Sequence, residues 1–334
     1  MGTSSSKPYV IQTKWFDDFE ATLPSLEGKT VAITGTTSGT GFVVARTAIR
    51  KGAKNVLLLN RPSERATKAE SMLKEEAKST NVETIPCDLQ DFASVKQAAE
   101  TIKSKYSAVD VLCNNAGVLG LQDRATKEGY DVQMQTNHLS HFLLTKELYP
   151  LLKKAAELRG EARIANHSSS ARKFGGDLDE KYLGKNGGNL GGNGASLLFG
   201  GGRWVRYVQS KLANAVFTLA LNDRLGPDSR IISTVAEPGF ATTNIQNSSA
   251  QDGGMDFSAF FRFAQSSEDG SMPILSACFA PNVAPGKMWA PSQRGGTVGP
   301  AVEVDMDKVS AKEHQRDLLW KASEEACGEF KVDH

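Results

Sequence analysis

"KTVAITGTTSGTGFVVARTAIRKGA", Lys29 to Ala53, is the stretch that decides the fold. Its first seven residues form a short β-branched run closed by Gly35, the pattern of a buried strand. From Gly41 onward apolar residues return at helical spacing and stop at Gly52, as a helix C-terminus does. The turn between them carries three glycines. Gly35 permits a tight bend, Gly39 lets the backbone approach a pyrophosphate, and Gly41 lets helix and strand pack closely. With Thr37, Ser38 and Thr40 they build a loop whose free N–H groups, at the positive end of a helix dipole, attract phosphate.

The same alternation continues outward. "NVLLLN", "VETIPCDL", "VDVLCNNAG", "ARIANHSSSA" and "RIISTVAEPG" read as strands. Between them "ERATKAESMLKEEAKST", "FASVKQAAETIKSKY", "YDVQMQTNHLSHFLLTKELYPLLKKAA" and the segment around Tyr207 read as helices. Strands alternating with helices specify an α/β fold, a doubly wound parallel sheet of Rossmann type covered on both faces. The expectation is one domain over 29–334 after an N-terminal extension, 1–28. A glycine-rich insert occupies 175–203, and a looser substrate lobe covers about 242–301. The tail "AKEHQRDLLWKASEEACG" reads as a last amphipathic helix.

Composition narrows the function. The 334 residues carry 39 basic and 38 acidic side chains, a net charge of +1, which argues against a nucleic-acid binder. No apolar run reaches bilayer-spanning length, and "MGTSSSKPYVIQTKW" lacks the apolar core of a secretory signal. Cys87, Cys113, Cys278 and Cys327 have no metal-ligand spacing and read as reduced thiols. These features point to an intracellular, cytoplasmic protein. Gly2 followed by Ser6 fits an N-myristoylation pattern, and Lys7 would suit an anionic membrane surface; the stretch also reads as a plain small-residue leader. A single acyl chain would give only weak, reversible peripheral membrane attachment.

The end of the second strand bears on the dinucleotide. An acidic residue there would bond both ribose hydroxyls and repel a 2′-phosphate. This chain has Asn60 and then Arg61, with Arg65 one turn on. A guanidinium matches a phosphate bidentately, so the expected cofactor is NADP(H) rather than NAD(H).

"TGTTSGTG", "NNAG" (Asn114 to Gly117), "NHSSSA", "YVQSK" and "PGFATT" occur in the order seen in short-chain dehydrogenases/reductases, and the chain resembles that family. "QTNHLSHFLLT" and "YVQSKLANAVF" resemble its retinol-dehydrogenase-like branch, which includes the WW-domain oxidoreductases, although no WW domain is visible here. The resemblance implies a catalytic tetrad of Asn137, Ser169, Tyr207 and Lys211. A carbonyl that receives a hydride needs a proton on its oxygen, and a tyrosine hydroxyl can donate one. Free tyrosine titrates near ~10, and Lys211, one turn along the helix, is expected to lower that value. Ser169, the middle of three serines by the family register, would hydrogen-bond the substrate oxygen. Asn137 would hold a water linking Lys211 to solvent. Taken singly, each also fits a plain structural role; their joint order carries the assignment.

The resemblance further implies that Asp88 and Leu89 meet the adenine and that Asn115, Ala116 and Gly117 pass beside the cofactor. Tyr207 and Lys211 would also touch it, and Pro238, Gly239 and Thr243 would hold the nicotinamide carboxamide. Many members of the branch carry histidine before that proline; Glu237 stands there instead. His138 and His141 lack a third ligand, and no metal is expected.

The expected activity is NADP(H)-dependent carbonyl reduction or alcohol oxidation on a hydrophobic substrate, retinoid-, steroid-, isoprenoid- or lipid-aldehyde-like. "MDFSAFFRFAQ", Met272, Met288 and Trp289 are candidate apolar walls. The alternatives are a cofactor-binding regulatory or scaffold protein without turnover, and non-redox chemistry on the same fold. The family resemblance implies a homo-oligomer through the two long helices, and monomers also occur.

From Gly184 to Gly202 nine of nineteen residues are glycine, yet Leu197, Leu198, Phe199 and Trp204 interrupt or border the tract. Two readings stand: a mobile flap with glycine hinges over an apolar substrate, or a surface loop packed on a neighbour.

Overall fold

The computed structural model describes residues 11–194, 201–242, 252–253 and 263–333. Helix α1 (Phe16–Thr22) leads into β1 (Thr30–Thr34), α2 (Gly39–Arg50), β2 (Asn55–Asn60), α3 (Glu64–Glu76), β3 (Asn81–Pro86), α4 (Phe92–Lys105) and β4 (Val111–Asn114). Next come α5 (Val132–Met134), a π-helical turn (Gln135–Leu139), α6 (Ser140–Arg159), β5 (Ala162–His167), a 3₁₀ turn (Ser170–Phe174), α7 (Glu180–Leu183), α8 (Gly202–Leu225) and β6 (Ile231–Ala236). A helix (Ser267–Phe279), strands β7 (Met288–Gln293) and β8 (Val298–Val304), and a C-terminal helix (Glu313–Cys327) complete the described chain.

The sheet runs β3-β2-β1-β4-β5-β6-β7-β8, parallel through β7, with β8 antiparallel at the edge. Strand order reverses between β1 and β4, the place where doubly wound sheets open a crevice at their strand C-termini. The period-2 geometry of a strand sends alternate residues into opposite layers. Val31, Ile33, Val56 and Leu58 join the core beneath α2 and the Ser267–Phe279 helix. Ala32, Leu57 and Leu59 face the other layer, beneath α4, α6, α8 and the C-terminal helix. Both faces are dry, which is why these strands read as continuous apolar runs.

Two segments are more ordered than the sequence pattern suggests. In the supposed leader, Phe16, Leu23 and Leu26 are core residues. The Asp269 carboxylate accepts from the Trp15 and Phe16 N–H groups at 3.0 and 3.1 Å, capping the start of α1 from another helix. The loosely patterned stretch from Thr242 to Ala301 holds a helix and most of two strands. Gly270 and Pro273 disguise that helix, and the glycine is required because a Cβ there would lie 2.3 Å from the Ala241 Cβ. Pro291 sits at an irregularity of the β7–β8 pairing, and Pro300 lies in the edge strand, both tolerated places for proline. Met272 and Met288 are buried in this packing and do not line an open wall.

Three fully buried histidines stand between the layers. His138 Nε2 hydrogen-bonds with Ser323 Oγ at 2.9 Å and its ring packs edge-on against Phe217. His141 Nε2 meets Thr34 Oγ1 at 2.9 Å, and His167 Nδ1 meets Asn115 Oδ1 at 2.9 Å. Burial pushes their pKa values from 6.5 down to about 3, about 4 and about 3 respectively. Unfolded histidine takes up protons across that window while the native rings do not. The stability they allow is therefore present above pH 6.5 and lost as the pH falls toward 4. The urea midpoint should fall between about pH 7 and about pH 5, and His138→Phe should make that fall shallower. An unchanged pH slope in the variant would contradict this account.

Candidate active site

The sites expected from sequence converge on one edge of the sheet, at the C-terminal ends of β1 through β6. At the first turn Gly35 has φ +73° and Gly39 φ +59°. A Cβ on Gly41 would lie 2.3 Å from Gly35 O and 2.4 Å from Asn115 Nδ2, so only glycine fits. Ser38 precedes α2 without a side-chain bond into its first turn, and no acidic residue stands there. The positive helix end is left for an anion. The loop is braced from β2: Thr36 N donates to Asn60 Oδ1 at 2.8 Å, and Asn60 Nδ2 donates to Thr36 Oγ1 at 2.7 Å. Asn60 thus serves the loop. Its neighbour Arg61, like Arg65, is exposed and ion-paired to no described residue.

After β3, Asp88 accepts from Gln90 N at 2.9 Å and Leu89 is buried, its carbonyl accepting from Ser140 Oγ. After β4, Asn115 donates to Thr34 O and Gly35 O, and accepts from Thr40 Oγ1 at 2.8 Å. Ala116 packs beside Gly35, where a Cβ would approach its Cβ to 2.8 Å. A Cβ on Gly117 would sit 3.2 Å from both Asn137 Oδ1 and Lys211 Nζ, so this turn runs directly over the tetrad. After β6, Gly239 has φ +63°, and a Cβ there would lie 2.3 Å from Thr297 O. Pro238 O accepts from Gln265 Nε2 at 2.8 Å. Thr243 lies outside the described residues, as do Gly2, Ser6, Lys7, Leu197, Leu198, Phe199 and most of "MDFSAFFRFAQ".

The four candidate catalytic residues come from three segments. Asn137 sits in the π-helical turn, fully buried, a backbone form that often marks functional positions. Its side chain accepts from Val118 N at 2.7 Å and donates to Val118 O and Ser210 Oγ. Of the three serines, Ser168 donates its hydroxyl to Lys211 O at 2.7 Å, tying β5 to α8. Ser169 Oγ accepts from Ala171 N at 3.2 Å, capping the 3₁₀ turn, and Ser169 draws the Tyr207 hydroxyl down. Lys211 Nζ donates to His167 O at 3.0 Å and lies 6.0 Å from the Tyr207 ring centroid.

The charge balance of this pair differs from expectation. Burial pushes the Tyr207 hydroxyl up to about 12, with only the Ser169 hydrogen bond drawing it down. Burial also lowers Lys211 to about 8. Spacing along a helix conveys that the two residues are near, but not how far both are withdrawn from water, and here desolvation wins.

The described part of the glycine tract is tied down. Arg206, fully buried on α8, donates to Leu190 O, Gly192 O and Leu121 O at 3.0–3.1 Å. It pairs with Asp123 at 3.5 Å and Asp131 at 3.3 Å. Asp123 in turn accepts from Leu190 N and Gly192 N. Cβ atoms on Gly188 and Gly202 would strike Ala125 N at 2.7 Å and Gly191 O at 2.6 Å, so these glycines permit close approach and are not hinges. Trp204 is 1% exposed and packs edge-on against Tyr207, inside the molecule and not over its surface.

No group of side chains fit to hold a metal ion occurs among the described residues. No described helix is long and apolar enough to cross a membrane.

A mostly parallel sheet with a glycine turn at its switch point and a tyrosine–lysine–serine–asparagine cluster beside it defines a dehydrogenase-type nucleotide fold. The family model for short chain dehydrogenase matches residues 29–183. A short-chain dehydrogenase/reductase of Armillaria gallica is 38% identical over 67% of this chain and 69% of its own. Human retinol dehydrogenase 13 is 33% identical over 68% of this chain and 62% of its own. A crystal structure of an uncharacterized Mycobacterium paratuberculosis protein aligns over 96% of this chain and all of its own, with a TM-score of 0.71 and 29% identity. The alignments span 65% to 74% of the first curated relatives. The chain belongs to the short-chain dehydrogenase/reductase family, in its retinol-dehydrogenase-like branch.

Three site residues were assigned no role from sequence: Arg172, Ser210, and Asn214, whose Nδ2 donates to His167 O. The signal for Ser210 was its place between Tyr207 and Lys211. Removing the cation of the Arg206 cluster should strand two carboxylates. Arg206→Met is expected to cost about 3–5 kcal/mol in urea denaturation near neutral pH. Burial raises Asp131 to about 6, so the difference from wild type should shrink as the pH falls below that value. A penalty independent of pH would assign the loss to packing alone.

Proposed function

We propose that this oxidoreductase interconverts a carbonyl and an alcohol with NADP(H), Tyr207 acting as general acid and base. The observation that carries the reading is the convergence of the candidate side chains: Lys211 Nζ, held on His167 O, lies 6.0 Å from the Tyr207 ring centroid, Ser169 follows the serine that bonds Lys211 O, and Asn137 Oδ1 and Lys211 Nζ both border Gly117. A phenol and a serine hydroxyl side by side can both meet one substrate oxygen.

The N-terminus of α2, with no side-chain cap and no acidic residue in its first turn, fits the pyrophosphate of a dinucleotide. The Gly35–Gly41 turn would hold its pyrophosphate, Asp88 and Leu89 its adenine, and Asn115 to Gly117 with Lys211 its nicotinamide side. Pro238 and Gly239 would sit at the carboxamide. When bound, the nicotinamide supplies or accepts a hydride. Of two similarly folded structures, a short chain dehydrogenase carries NADP and a 3-ketoacyl-(acyl-carrier-protein) reductase carries NADH, so the fold does not choose between them. Arg61 supports NADP(H): it is exposed just after β2 and ion-paired to no described residue. An apolar substrate is supported by Phe174, 72% exposed at the end of the turn that begins beside Ser169. A relative named for retinol points the same way.

In reduction Tyr207 gives its proton to the nascent alkoxide while Ser169 steadies the charge. In oxidation the phenolate takes the proton back. A hydroxyl held near 12 makes the oxidation rate climb with pH.

A panel of aldehydes, from straight-chain to retinoid, assayed by NADPH consumption tests the reading. Tyr207→Phe should lower turnover roughly 10²- to 10⁴-fold at unchanged NADPH affinity. A variant that keeps most of its activity would overturn the role. Arg61→Ala should raise the NADPH Michaelis constant about tenfold or more with little change for NADH. Equal effects on the two cofactors would remove the NADP(H) preference.

A further inference from the structure

Arg172 is the third residue of the 3₁₀ turn that follows Ser169, and it is 1% exposed. A guanidinium so completely withdrawn from water must be matched in charge and hydrogen bonding. Its Nε donates to Asp307 Oδ2 at 2.9 Å, and one terminal nitrogen pairs closely with the buried Glu237 carboxylate. The other terminal nitrogen lies 3.1 Å from Met288 Sδ. Lys173 Nζ, half-exposed, stands 3.6 Å from the second Glu237 oxygen. Asp307 is itself fixed by the Val309 and Ser310 N–H groups and the Ser310 hydroxyl.

The same guanidinium reaches the site. Its terminal nitrogen donates to Ser169 O at 2.9 Å, and the Arg172 N–H donates to that oxygen at 3.1 Å. One residue thus grips the Ser169 carbonyl twice, fixing the peptide that carries the hydroxyl, which itself accepts from Ala171 N at 3.2 Å. Glu237, the other partner, donates its N–H to Trp289 O at 2.9 Å and leads directly into the Pro238–Gly239 turn. Arg172 therefore links the loop after β5 to the loop after β6. It also accounts for the acid at position 237, where the branch often has histidine.

We propose that Arg172, held by Glu237 and Asp307, is a positioning residue that sets the Ser169 hydroxyl against Tyr207 and fixes the spacing between the Ser169 loop and the Pro238–Gly239 turn. The proposal rests on the reading of Ser169 and Tyr207 given above. Its role is exerted through Ser169, without contact to substrate.

Arg172→Lys keeps the charge and loses the fork; Glu237→Gln keeps the shape and loses the charge; Ser169→Ala marks the loss of the hydroxyl itself. Each is assayed with decanal and NADPH, and with 1-decanol and NADP⁺ across pH, alongside NADPH binding by fluorescence and thermal melting. Arg172→Lys and Glu237→Gln should lower kcat roughly 10- to 100-fold, because small displacements of a reacting group are costly, while NADPH affinity stays within about twofold. Both should also move the alkaline rise of oxidation to higher pH, in the direction of Ser169→Ala, since the bond that draws Tyr207 down is weakened. If Ser169→Ala is impaired while both variants keep wild-type kcat and pH profile, the proposal fails. It also fails if their loss follows the melting temperature with an unmoved profile. Wild-type behaviour of Ser169→Ala would instead remove the reading beneath it.

Discussion

The carboxamide of Asn115 closes the gap between the first glycine turn and the two strands beside it. Its Nδ2 donates to Thr34 O at 2.9 Å and Gly35 O at 3.2 Å; its Oδ1 accepts from Thr40 Oγ1 and meets His167 Nδ1. All four hydrogen-bonding positions of the amide are used, and the backbone N–H adds a bond to Thr34 Oγ1. A single side chain thereby joins β1, α2, β4 and β5 at the place where strand order reverses. The glycine at position 41 follows from this, since a side chain there would occupy the same space as the amide. Asn60 performs the matching service from β2 through Thr36. With the loops locked together in this way, residues far apart in sequence can share one site.

Much of this was legible in the sequence because it is local. The order glycine turn, strand, helix needs only neighbouring residues to be read, and β2 begins and ends where "NVLLLN" does. What escaped was non-local or hidden by proline. Asp269 caps a helix more than 250 residues earlier, and nothing near either end announces the partnership. Pro273 and Pro291 mask a helix and a strand that tertiary packing sustains. Asn137 was identifiable as a candidate, but the π-helical turn that brings its side chain to Val118 is set by the fold. Glu237 could be seen as a departure from the branch and not explained, because its counterion lies 65 residues upstream.

Two buried arginines brace the site from opposite directions, and both do so with carboxylates plus backbone carbonyls. Arg206 precedes Tyr207 on α8, so its bonds to Leu121, Leu190 and Gly192 fix the first turns of the helix that carries Tyr207 and Lys211. Arg172 follows Ser169 and fixes the serine. Guanidinium suits both tasks because its planar fork satisfies several acceptors at once, and it remains charged where a buried lysine would drift toward neutrality. Lys211 shows that drift, lowered to about 8 by the same kind of burial. The charges that must stay fixed are arginines, and the one near titration, Lys211, stands 6.0 Å from the Tyr207 ring centroid.

That division bears on how the pair works. With water excluded, the neutral phenol is favoured over the phenolate and the neutral amine gains on the ammonium. Lysine at 6.0 Å from the ring does not reverse the first effect. On the acid–base reading of Tyr207, the chain by itself holds a proton ready to give, and the reverse transfer needs added positive charge or a stronger hydrogen bond to the phenolate. Among the described residues, Ser169 is the group that draws Tyr207 down. On that reading its orientation is worth more than that of an ordinary hydroxyl, because among the described residues it is the group acting against desolvation at the phenol. A buried charge network built around the Ser169 carbonyl is a reasonable place for the fold to concentrate its rigidity.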